Sequence, residues 1–340
     1  MVLVLSDDDV RGVLDLDPLA EAVEDALVAQ TRGAVERPER PHYPVGAGVD
    51  GETGPDGGGC PDEQDARGTA LAMPAYVHGA PYFATKLASV HPANRGRSLP
   101  TLHAQLVLAD ATTGAPVSVL GATTLTNART GCIGGLAARD LAAGPVTLGV
   151  LGAGAQARWQ TRAVAALADL ERVRVYSPSD SKHDCVADLR AEGLTADAVD
   201  SPAAAVEGAT VVVTATTSAD PVVPANAVGP GTLVVGIGAY EASMQELPAA
   251  LVERADRLYA DVPEEAVETG DVAATDRTVA DLVPLGALFD GTTERATAGP
   301  VADDEVVVVE SVGSAVMDVA AATVVYEAAT EAGVGTDQPL

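Results

Sequence analysis

The spacing of apolar and polar residues changes along the chain and predicts a different kind of structure in each part. Ser6 is followed by three aspartates, which is typical of a helix start, and apolar residues recur at helical spacing from Leu19 to Val28. Residues 1–40 are therefore predicted to form a helical opening. Residues 69–120 consist of short strand-like runs, with the turn sequence DATTGAP before the last run, and are predicted to form β structure.

Residues 46–68, between these two parts, are rich in glycine and acidic side chains and carry no core-forming pattern. We expect a solvated loop there, with Cys60 exposed. The three cysteines of the chain are scattered, form no CxxC pair and fit no zinc site, so we expect no bound metal and a reducing compartment. The N-terminal sequence MVLVLSDDDV resembles neither a signal peptide nor a membrane span, so a cytoplasmic location is expected.

After residue 122, a predicted helix over residues 124–142 leads into a regular alternation of apolar strands and helices. The predicted strands share short runs of Val, Leu and Ile, in VTLGVLG, VRVYS, TVVVTAT, TLVVGIGA, DRLYADV and EVVVVESV. Such runs separated by helices indicate an α/β fold with a doubly wound parallel sheet. An alanine-rich helix is predicted over residues 314–333.

The first of these strands runs directly into GAGAQA at residues 152–157, which opens a helix. This is a GxGxxA fingerprint in the strand–turn–helix context of a dinucleotide site. Gly152 permits the tight turn, Gly154 lets a pyrophosphate approach the backbone, and the helix N-terminus offers free N–H groups. The turn therefore predicts a nicotinamide dinucleotide, held by Gly152, Ala153, Gly154, Ala155 and Gln156.

The end of the second strand bears on which dinucleotide is bound. An NAD site places an acidic residue there, about 20 residues after the glycines, to hold the ribose 2′-OH. This chain has Ser177 at that point, and Ser177, Ser179 and Lys182 offer groups that suit a 2′-phosphate, although Asp180 opposes one. We therefore favour NADP(H) and keep NAD(H) as the alternative. Lys182 as an ordinary surface residue also stays open.

The charge of the chain is extreme, with 49 acidic against 20 basic residues and a formal net charge of −29. Nucleic acids and anionic membranes are excluded as partners because they require a basic face. Lys86 and Lys182 are the only lysines. An acidic, lysine-poor surface is typical of proteins from salt-loving organisms, in which counterions screen self-repulsion. We expect structure to be lost in dilute buffer, which a melting curve unchanged by salt would contradict.

Several motifs, taken in order, resemble the ornithine cyclodeaminase/mu-crystallin family. They share their order with that family: PER ending at Arg40, MP at residues 73–74, FATKLASVHPAN, GRSLPT, LTNART, GAGAQAR, QEL at residues 245–247 and SVGSAVMD. The resemblance implies a Rossmann domain and a second α+β domain for substrate binding and dimerisation. It places the Rossmann domain at residues 123–311 and the second domain at 1–122 and 312–340. It also implies a homodimer formed through the sheet of that second domain.

The resemblance further implies a substrate pocket with Arg40, Lys86 and Arg129. Such a site is chemically reasonable, because guanidinium groups bind the carboxylate of a small amino or imino acid bidentately. A lysine in an apolar strand is costly to bury unpaired, so Lys86 meets either a carboxylate-bearing ligand or a structural ion-pair partner. Asp318 matches a family position for which capping or positioning is the expected role. The resemblance also implies cofactor contacts at Thr130, Thr216 and Gly238.

The chain departs from the cyclodeaminases after Gly238 and Ala239, where their catalytic aspartate would follow. Tyr240 stands there, and a tyrosine, neutral at pH 7, cannot replace a carboxylate base. Glu241 would have to reorient to substitute. The stretch instead looks like that of the family's cyclic imine reductases. The resulting hypothesis is an NAD(P)H-dependent reductase of pyrroline-2-carboxylate or piperideine-2-carboxylate, in which Lys86 is catalytic.

Three alternatives remain open from sequence. The first is an amino-acid dehydrogenase resembling the family's alanine dehydrogenases, which requires ammonia and a 2-oxo acid. The second is an ornithine cyclodeaminase, a lyase that converts ornithine to proline and ammonia, and Tyr240 argues against it. The third is a non-enzymatic, NADPH-dependent ligand binder, against which the presence of Lys86 and both arginines argues.

Overall fold

The computed structural model describes residues 1–49, 66–97, 99–290 and 299–339. Most of the loop expected over residues 46–68, and Cys60 with it, lies outside these ranges. The chain divides into two compact units. The first unit comprises Met1–Leu14, Ala34–Thr126 and Asp318–Leu340, and the second comprises Asp15–Gly33 and Asn127–Met317. No helix in the described ranges is long and apolar enough to cross a bilayer.

The first unit is built on one mixed sheet. Its strands are β1 (Val2–Leu5), β2 (Val35–Glu36), β3 (His42–Val45), β4 (Gly68–Val77), β5 (Tyr82–Val90), β6 (Leu102–Asp110), β7 (Pro116–Gly121) and β16 (Thr336–Gln338). They run in the order β16-β1-β7-β6-β5-β4-β2, and β3 also pairs with β4. Among these strands β1 and β7 pair in parallel, whereas the other pairs are antiparallel.

The alternation predicted for residues 69–120 sets the two faces of this sheet. On one face Lys86 pairs with Leu106, and both side chains are buried. The neighbouring positions Phe83, Leu87 and Val107 project from the opposite face and are 36%, 43% and 40% exposed. Successive side chains of a strand alternate between faces, so the lysine lies on the inner face by register.

The prediction that residues 1–40 open as helices was wrong at the first residues, which form strand β1. The apolar run is too short for its pattern to distinguish a strand from a helix. Its pairing with β7 and β16 makes it a strand. The helix start at Ser6 is confirmed for α1 (Asp7–Val13). The Ser6 hydroxyl accepts a hydrogen bond from the Asp9 N–H at 3.1 Å, and the Asp9 carboxylate accepts one from the Ser6 N–H at 2.9 Å.

The second unit contains the predicted parallel sheet. Its strands are β8 (Val146–Leu151), β9 (Leu170–Tyr176), β10 (Ala196–Ala198), β11 (Val211–Thr214), β12 (Thr232–Gly236), β13 (Arg257–Ala260), β14 (Val283–Pro284) and β15 (Val306–Glu310). They run in the order β10-β9-β8-β11-β12-β15-β13-β14, and every pair is parallel. The strand order reverses between β8 and β11, which is the switch point at which Rossmann sheets bind dinucleotides.

Helices connect these strands. They are α3 (Thr123–Leu141), α4 (Ala155–Leu167), α5 (Ser181–Ala191), α6 (Pro202–Val206), α7 (Ala249–Glu253), α8 (Pro263–Ala266), α9 (Gly270–Ala273) and α10 (Gly286–Asp290). The closing helix α11 (Ala315–Ala332) begins in the second unit and ends in the first. The α/β fold with a doubly wound sheet and a further domain is thereby confirmed.

Helix α2 (Leu16–Thr31) belongs to the second unit, although the sequence placed all of residues 1–122 in the other domain. Long-range contacts hold it there. Glu24 pairs with Arg139 of α3 at 2.7 Å, and Arg32 pairs with Asp290 of α10. A side chain on Gly286 would meet the carbonyl oxygen of Leu27 at 2.1 Å, so the two backbones touch. Periodicity predicted the helix, but only these contacts assign it to a unit.

Candidate active site

The GAGAQA turn has the geometry that its fingerprint predicts. Gly152 follows β8 with a φ of +117°, and a Cβ there would lie 2.3 Å from the carbonyl oxygen of Ala215. Only glycine fits both the conformation and the close approach. Gly154 precedes helix α4, and no side chain caps that helix. A Cβ on Gly154 would meet nothing within 4 Å, so the backbone N–H groups of the first turn remain approachable.

These features fit a dinucleotide pyrophosphate. The turn is formed by backbone at the carboxyl end of β8, beside the switch point, and the N-terminus of α4 presents the positive end of a helix dipole. Arg158 braces the turn by donating hydrogen bonds to the carbonyl oxygens of Ala153 at 2.7 Å and Gly154 at 3.2 Å. Residues Gly152 to Gln156 thus form a rigid cradle at the position where Rossmann sheets bind cofactor.

Gln156, at the end of this turn, and Thr130 of the predicted cofactor set make contacts between α3 and α4. Gln156 donates from Nε2 to the Oδ1 of Asn127 at 2.9 Å, and the carbonyl oxygen of Thr130 accepts a hydrogen bond from Gln160 at 2.8 Å. Both contacts tie α4 to α3. In this structure Gln156 and Thr130 therefore stabilise the helix that presents the turn, and a direct cofactor contact by either stays a prediction.

Three serine hydroxyls cluster after β9, where an NAD site would have a carboxylate. The Ser179 and Ser181 oxygens are 2.7 Å apart, and the Ser177 oxygen lies 3.2 Å from that of Ser179 and 3.4 Å from that of Ser181. Sequence reasoning found the first two serines and missed Ser181, which begins helix α5. Three hydroxyl donors beside a helix N-terminus suit an anion better than they suit a ribose hydroxyl.

Lys182 does not join this cluster. Its ammonium group donates to the carbonyl oxygen of Val199 at 2.9 Å and pairs with Asp200 at 3.2 Å. It also lies 5.8 Å from the centre of the Tyr176 ring. The lysine is therefore held toward strand β10, and any contact with a cofactor phosphate would require it to leave these partners.

Lys86 is buried in the first unit and forms an ion pair with Asp318. Its Nζ lies 2.6 Å from Oδ2 of the aspartate, and the two side chains are 3% and 1% exposed. The lysine comes from the inner face of β5 and the aspartate from the first turn of α11. Capping or positioning was the role expected of Asp318. In the structure it is an ion-pair partner of Lys86, one of the two possibilities that the sequence left open for the lysine. A buried ammonium held by one carboxylate has a fixed direction and position.

Arg40 lies in the same unit as Lys86. It sits in the segment between β2 and β3, where the carbonyl oxygen of Pro41 accepts a hydrogen bond from the Ala72 N–H of β4 at 3.1 Å. The next residue of β4, Met73, pairs with Lys86. The segment that carries Arg40 therefore borders β4, the strand next to the one that carries Lys86.

Arg129 is a buried residue of α3 in the second unit, 4% exposed. Its guanidinium packs on Gly313, where a Cβ would lie 3.2 Å from Nη1. The nearby carboxylate of Asp261 accepts hydrogen bonds from the N–H groups of Val312 and Gly313 and from the Ser311 hydroxyl, at 3.0, 2.8 and 2.7 Å. Burial raises the pKa of Asp261, while these donors and the charge of Arg129 oppose the rise. Sequence reasoning missed Asp261.

The carboxyl ends of β11 and β12 meet around Glu246, a second residue that sequence reasoning missed. Its carboxylate accepts hydrogen bonds from the Thr214 hydroxyl at 2.8 Å, the Thr216 N–H at 2.5 Å and the Gly238 N–H at 2.6 Å. Gly238 was predicted to contact the cofactor, but its N–H already donates a hydrogen bond to Glu246. The only sequence signal for this role was the family motif QEL, which contains Glu246.

Two more buried carboxyl groups lie beside Glu246. Burial raises the pKa of Asp271 to about 7, against hydrogen bonds from the Leu247 and Glu246 N–H groups, and the charge of Glu246 adds to the rise. Burial, with the charges of Asp271, Glu246 and Asp261, holds the pKa of Glu310 well above its usual value. Burial and the neighbouring charges therefore favour the neutral form of Glu310.

Tyr240 and Glu241 follow β12 at the surface. Tyr240 is 40% exposed, and burial of its remainder raises its pKa, with the charge of Glu241 acting in the same direction. The phenol is therefore neutral at pH 7 and cannot act as a base there. Burial also raises the pKa of the Cys132 thiol to about 12, so this cysteine is no nucleophile near neutral pH.

Comparison with known proteins agrees with this geometry. Residues 60–333 match the ornithine cyclodeaminase/mu-crystallin family. The chain belongs to this family. An alanine dehydrogenase of Archaeoglobus fulgidus is 30% identical over 98% of this chain and 97% of its own length. A Δ1-pyrroline-2-carboxylate reductase of Bacillus cereus is 33% identical over 78% of this chain and 83% of its own.

Two solved structures of the family share the fold over the full chain. The Δ1-pyrroline-2-carboxylate reductase of Thermococcus litoralis, in complex with NADH and L-proline, is 27% identical, with a TM-score of 0.88 over 99% of this chain and all of its own. An archaeal alanine dehydrogenase dimer with bound NAD is 28% identical, with a TM-score of 0.82 over 100% and 99% of the two chains. Both family members hold a nicotinamide dinucleotide.

Proposed function

We propose that this chain is an NAD(P)H-dependent reductase that converts a cyclic ketimine acid, such as pyrroline-2-carboxylate or piperideine-2-carboxylate, into the cyclic amino acid. The observation that carries the proposal is the residue that follows Gly238 and Ala239, in the segment after β12. Tyr240 occupies this position, and its phenol is neutral at pH 7. The chain therefore has no carboxylate at the position of the catalytic aspartate of the cyclodeaminases. Imine reduction needs no such base. The similarity to two Δ1-pyrroline-2-carboxylate reductases supports the same reaction.

The proposed chemistry assigns one task to each group. The reduced nicotinamide supplies the hydride that reduces the imine carbon. The C=N electron pair moves to the nitrogen, which takes up a proton, and Lys86 is the group that we assign to hold or deliver it. Asp318 keeps the lysine in place through the 2.6 Å ion pair. Arg40 and Arg129 are assigned to the substrate carboxylate, which guanidinium groups bind bidentately.

The cofactor proposal is NADPH in preference to NADH. It rests on the hydroxyl cluster of Ser177, Ser179 and Ser181, at the point where a carboxylate would otherwise accept a hydrogen bond from the ribose 2′-OH. The family structures cited above hold NADH or NAD, so the proposal of NADPH rests on this chain's serines alone. Lys182 remains a predicted contributor to the phosphate site.

The reaction is tested by following cofactor oxidation with NADPH and NADH separately, in about 2 M KCl so that the net charge is screened. Pyrroline-2-carboxylate alone is expected to be reduced, and NADPH is expected to be the better donor. The second candidate is an alanine dehydrogenase, favoured by the relative from A. fulgidus. Turnover only with pyruvate and ammonium would establish that candidate. Absence of imine turnover with either cofactor would overturn the reductase.

We further propose that the protein is a homodimer joined through the outer face of the first sheet. Phe83, Leu87 and Val107 form an exposed apolar surface on β5 and β6, and such surfaces on folded chains mark association sites. The archaeal alanine dehydrogenase of the same fold is itself a dimer. The opposite face of these strands carries Lys86, so dimerisation would stabilise the sheet that holds the proposed catalytic residue.

Light scattering in high salt is expected to give twice the chain mass of 34.2 kDa. Leu87→Asp, at the centre of the apolar surface, is expected to shift the mass to one chain because it would bury an unpaired charge. Val279→Asp is the matched control, since Val279 is equally exposed at 41% but lies in the second unit. A monomeric wild type, or a dimer that survives Leu87→Asp, would contradict this interface.

A further inference from the structure

The carboxyl ends of β11 and β12 form one edge of the second half of the parallel sheet. Thr214 pairs with Gly236 at the last rung, and the two chains then leave the sheet toward Thr216 and Gly238. In a Rossmann sheet the first half, with its glycine turn, takes the adenosine and pyrophosphate. The nicotinamide nucleotide is therefore expected at the second half, to which these two strand ends belong.

Glu246 joins the two strand ends. Its Oε1 accepts the Thr216 N–H at 2.5 Å, and its Oε2 accepts the Gly238 N–H at 2.6 Å and the Thr214 hydroxyl at 2.8 Å. Each strand end donates to the same carboxylate, so their separation is set by the size of that group. A fully buried carboxylate that accepts three hydrogen bonds leaves little freedom for either strand end.

The backbone of Glu246 is itself held in place. Its N–H donates to the Asp271 carboxylate at 2.6 Å, and its carbonyl oxygen accepts a hydrogen bond from the Val222 N–H at 2.8 Å. At the other end of the side chain, Gly238 leaves no spare room. A Cβ on Gly238 would lie 2.2 Å from the Thr216 carbonyl oxygen and 2.6 Å from the Glu246 carboxyl carbon. The arrangement is therefore fixed from both sides.

Burial raises the pKa of Glu246, while the hydrogen bonds from Thr216, Thr214 and Gly238 oppose the rise and favour its ionised form. Glu246 accepts three hydrogen bonds, whereas the Oε1 of Glu310 is buried without a hydrogen-bond partner in the described part of the chain. Donors stabilise the ionised form of a carboxyl group, and a dry site without donors favours the neutral form. A charged Glu246 binds the two N–H groups more strongly than a neutral amide would.

We propose that Glu246 is a positioning residue for the nicotinamide end of the cofactor. Its carboxylate fixes the separation of Thr216 and Gly238, and with it the width of the backbone edge against which the nicotinamide nucleotide lies. The inference rests on the proposed use of a nicotinamide cofactor, but it holds for imine reduction and for amino-acid dehydrogenation alike. It assigns a cofactor-specific task to a buried acid whose carboxylate is occupied by Thr214, Thr216 and Gly238.

The test compares whole cofactor with a fragment that lacks nicotinamide. Binding of NADPH is followed by its fluorescence, and binding of 2′-phospho-ADP-ribose by calorimetry, in high salt. Glu246→Gln is expected to weaken NADPH binding about tenfold, the effect of one lost charged hydrogen bond, and to leave the fragment's Kd within about twofold. Gly238→Ala, which forces the strand ends apart, is expected to show the same selective loss. Glu253→Gln, an exposed acid ending α7, is the control.

Several outcomes would overturn the positioning role. Equal losses for NADPH and for the fragment would show a general structural defect, and unchanged NADPH binding in Glu246→Gln would show no role in the cofactor site. A wild type that binds neither NADPH nor NADH would remove the proposed function and this role together. Selective loss of NADPH binding in a protein that reduces no imine would support the positioning role while the proposed reaction fails.

Discussion

Lys86→Met is expected to lower kcat for imine reduction about a thousandfold, within the range that a positioned proton donor contributes. The methionine keeps the volume of the side chain but has no proton to give and no charge. The NADPH Kd is expected to stay unchanged, because the cofactor residues belong to the other unit of the chain. Single-turnover measurement of NADPH oxidation in high salt, with the Kd measured by cofactor fluorescence, separates the two effects.

The single variant also leaves Asp318 buried without its ammonium partner, which costs about 3–5 kcal/mol of stability. The double variant Lys86→Met with Asp318→Asn removes both charges and is expected to regain most of the melting temperature. It is expected to stay as inactive as the single variant. If turnover returned with stability in the double variant, or fell less than tenfold in Lys86→Met, Lys86 would be a structural ion-pair partner only.

Ser177→Asp is expected to reverse the cofactor preference. A carboxylate after β9 would repel the 2′-phosphate of NADPH and accept a hydrogen bond from the 2′-OH of NADH, as in NAD-specific Rossmann sites. We expect kcat/KM for NADPH to fall about a hundredfold, equivalent to about 2.7 kcal/mol, while that for NADH rises. The ratio of the two kcat/KM values, measured on the same imine in the same salt, is the readout.

Thr195→Asp is the matched control, because it adds the same charge at an exposed position in the connection between α5 and β10. It is expected to leave the ratio within about twofold, since exposed charges more than a Debye length apart are screened in high salt. A wild type that prefers NADH, or a Ser177→Asp variant whose ratio does not change, would show that the three serines do not hold a 2′-phosphate.

Local sequence determined much of the second unit. Strand β8, the glycines after it and helix α4 are contiguous, and their signals are short-range: an apolar run, two glycines and a helical period. The strand–helix alternation also predicted the parallel sheet, because each buried strand can be recognised from its own apolar run. Lys86 also stood out by itself, as one of two lysines and the one in an apolar strand.

Other features were decided by pairing between distant residues. Strand β1 is too short to be distinguished from a helix until it pairs with β7 and β16, and β16 itself carries no strand pattern. Helix α2 was visible as a helix, but its ion pairs with α3 and α10 assign it to the second unit. The spacing of residues along the chain does not show which distant residues will pair.

The same limit applies to the polar groups of the site. Lys86 and Asp318 are far apart in sequence, and Glu246 is separated by more than 20 residues from Thr214, Asp271 and Glu310. A buried charge shows in sequence as a residue out of place, but the group that compensates it is chosen by the fold. The sequence alone therefore determined the cofactor turn and the candidate lysine. The tertiary structure decided which carboxylate holds the lysine and which carboxylate joins the strand ends, because hydrogen bonds and ion pairs act over distance in space and not along the chain.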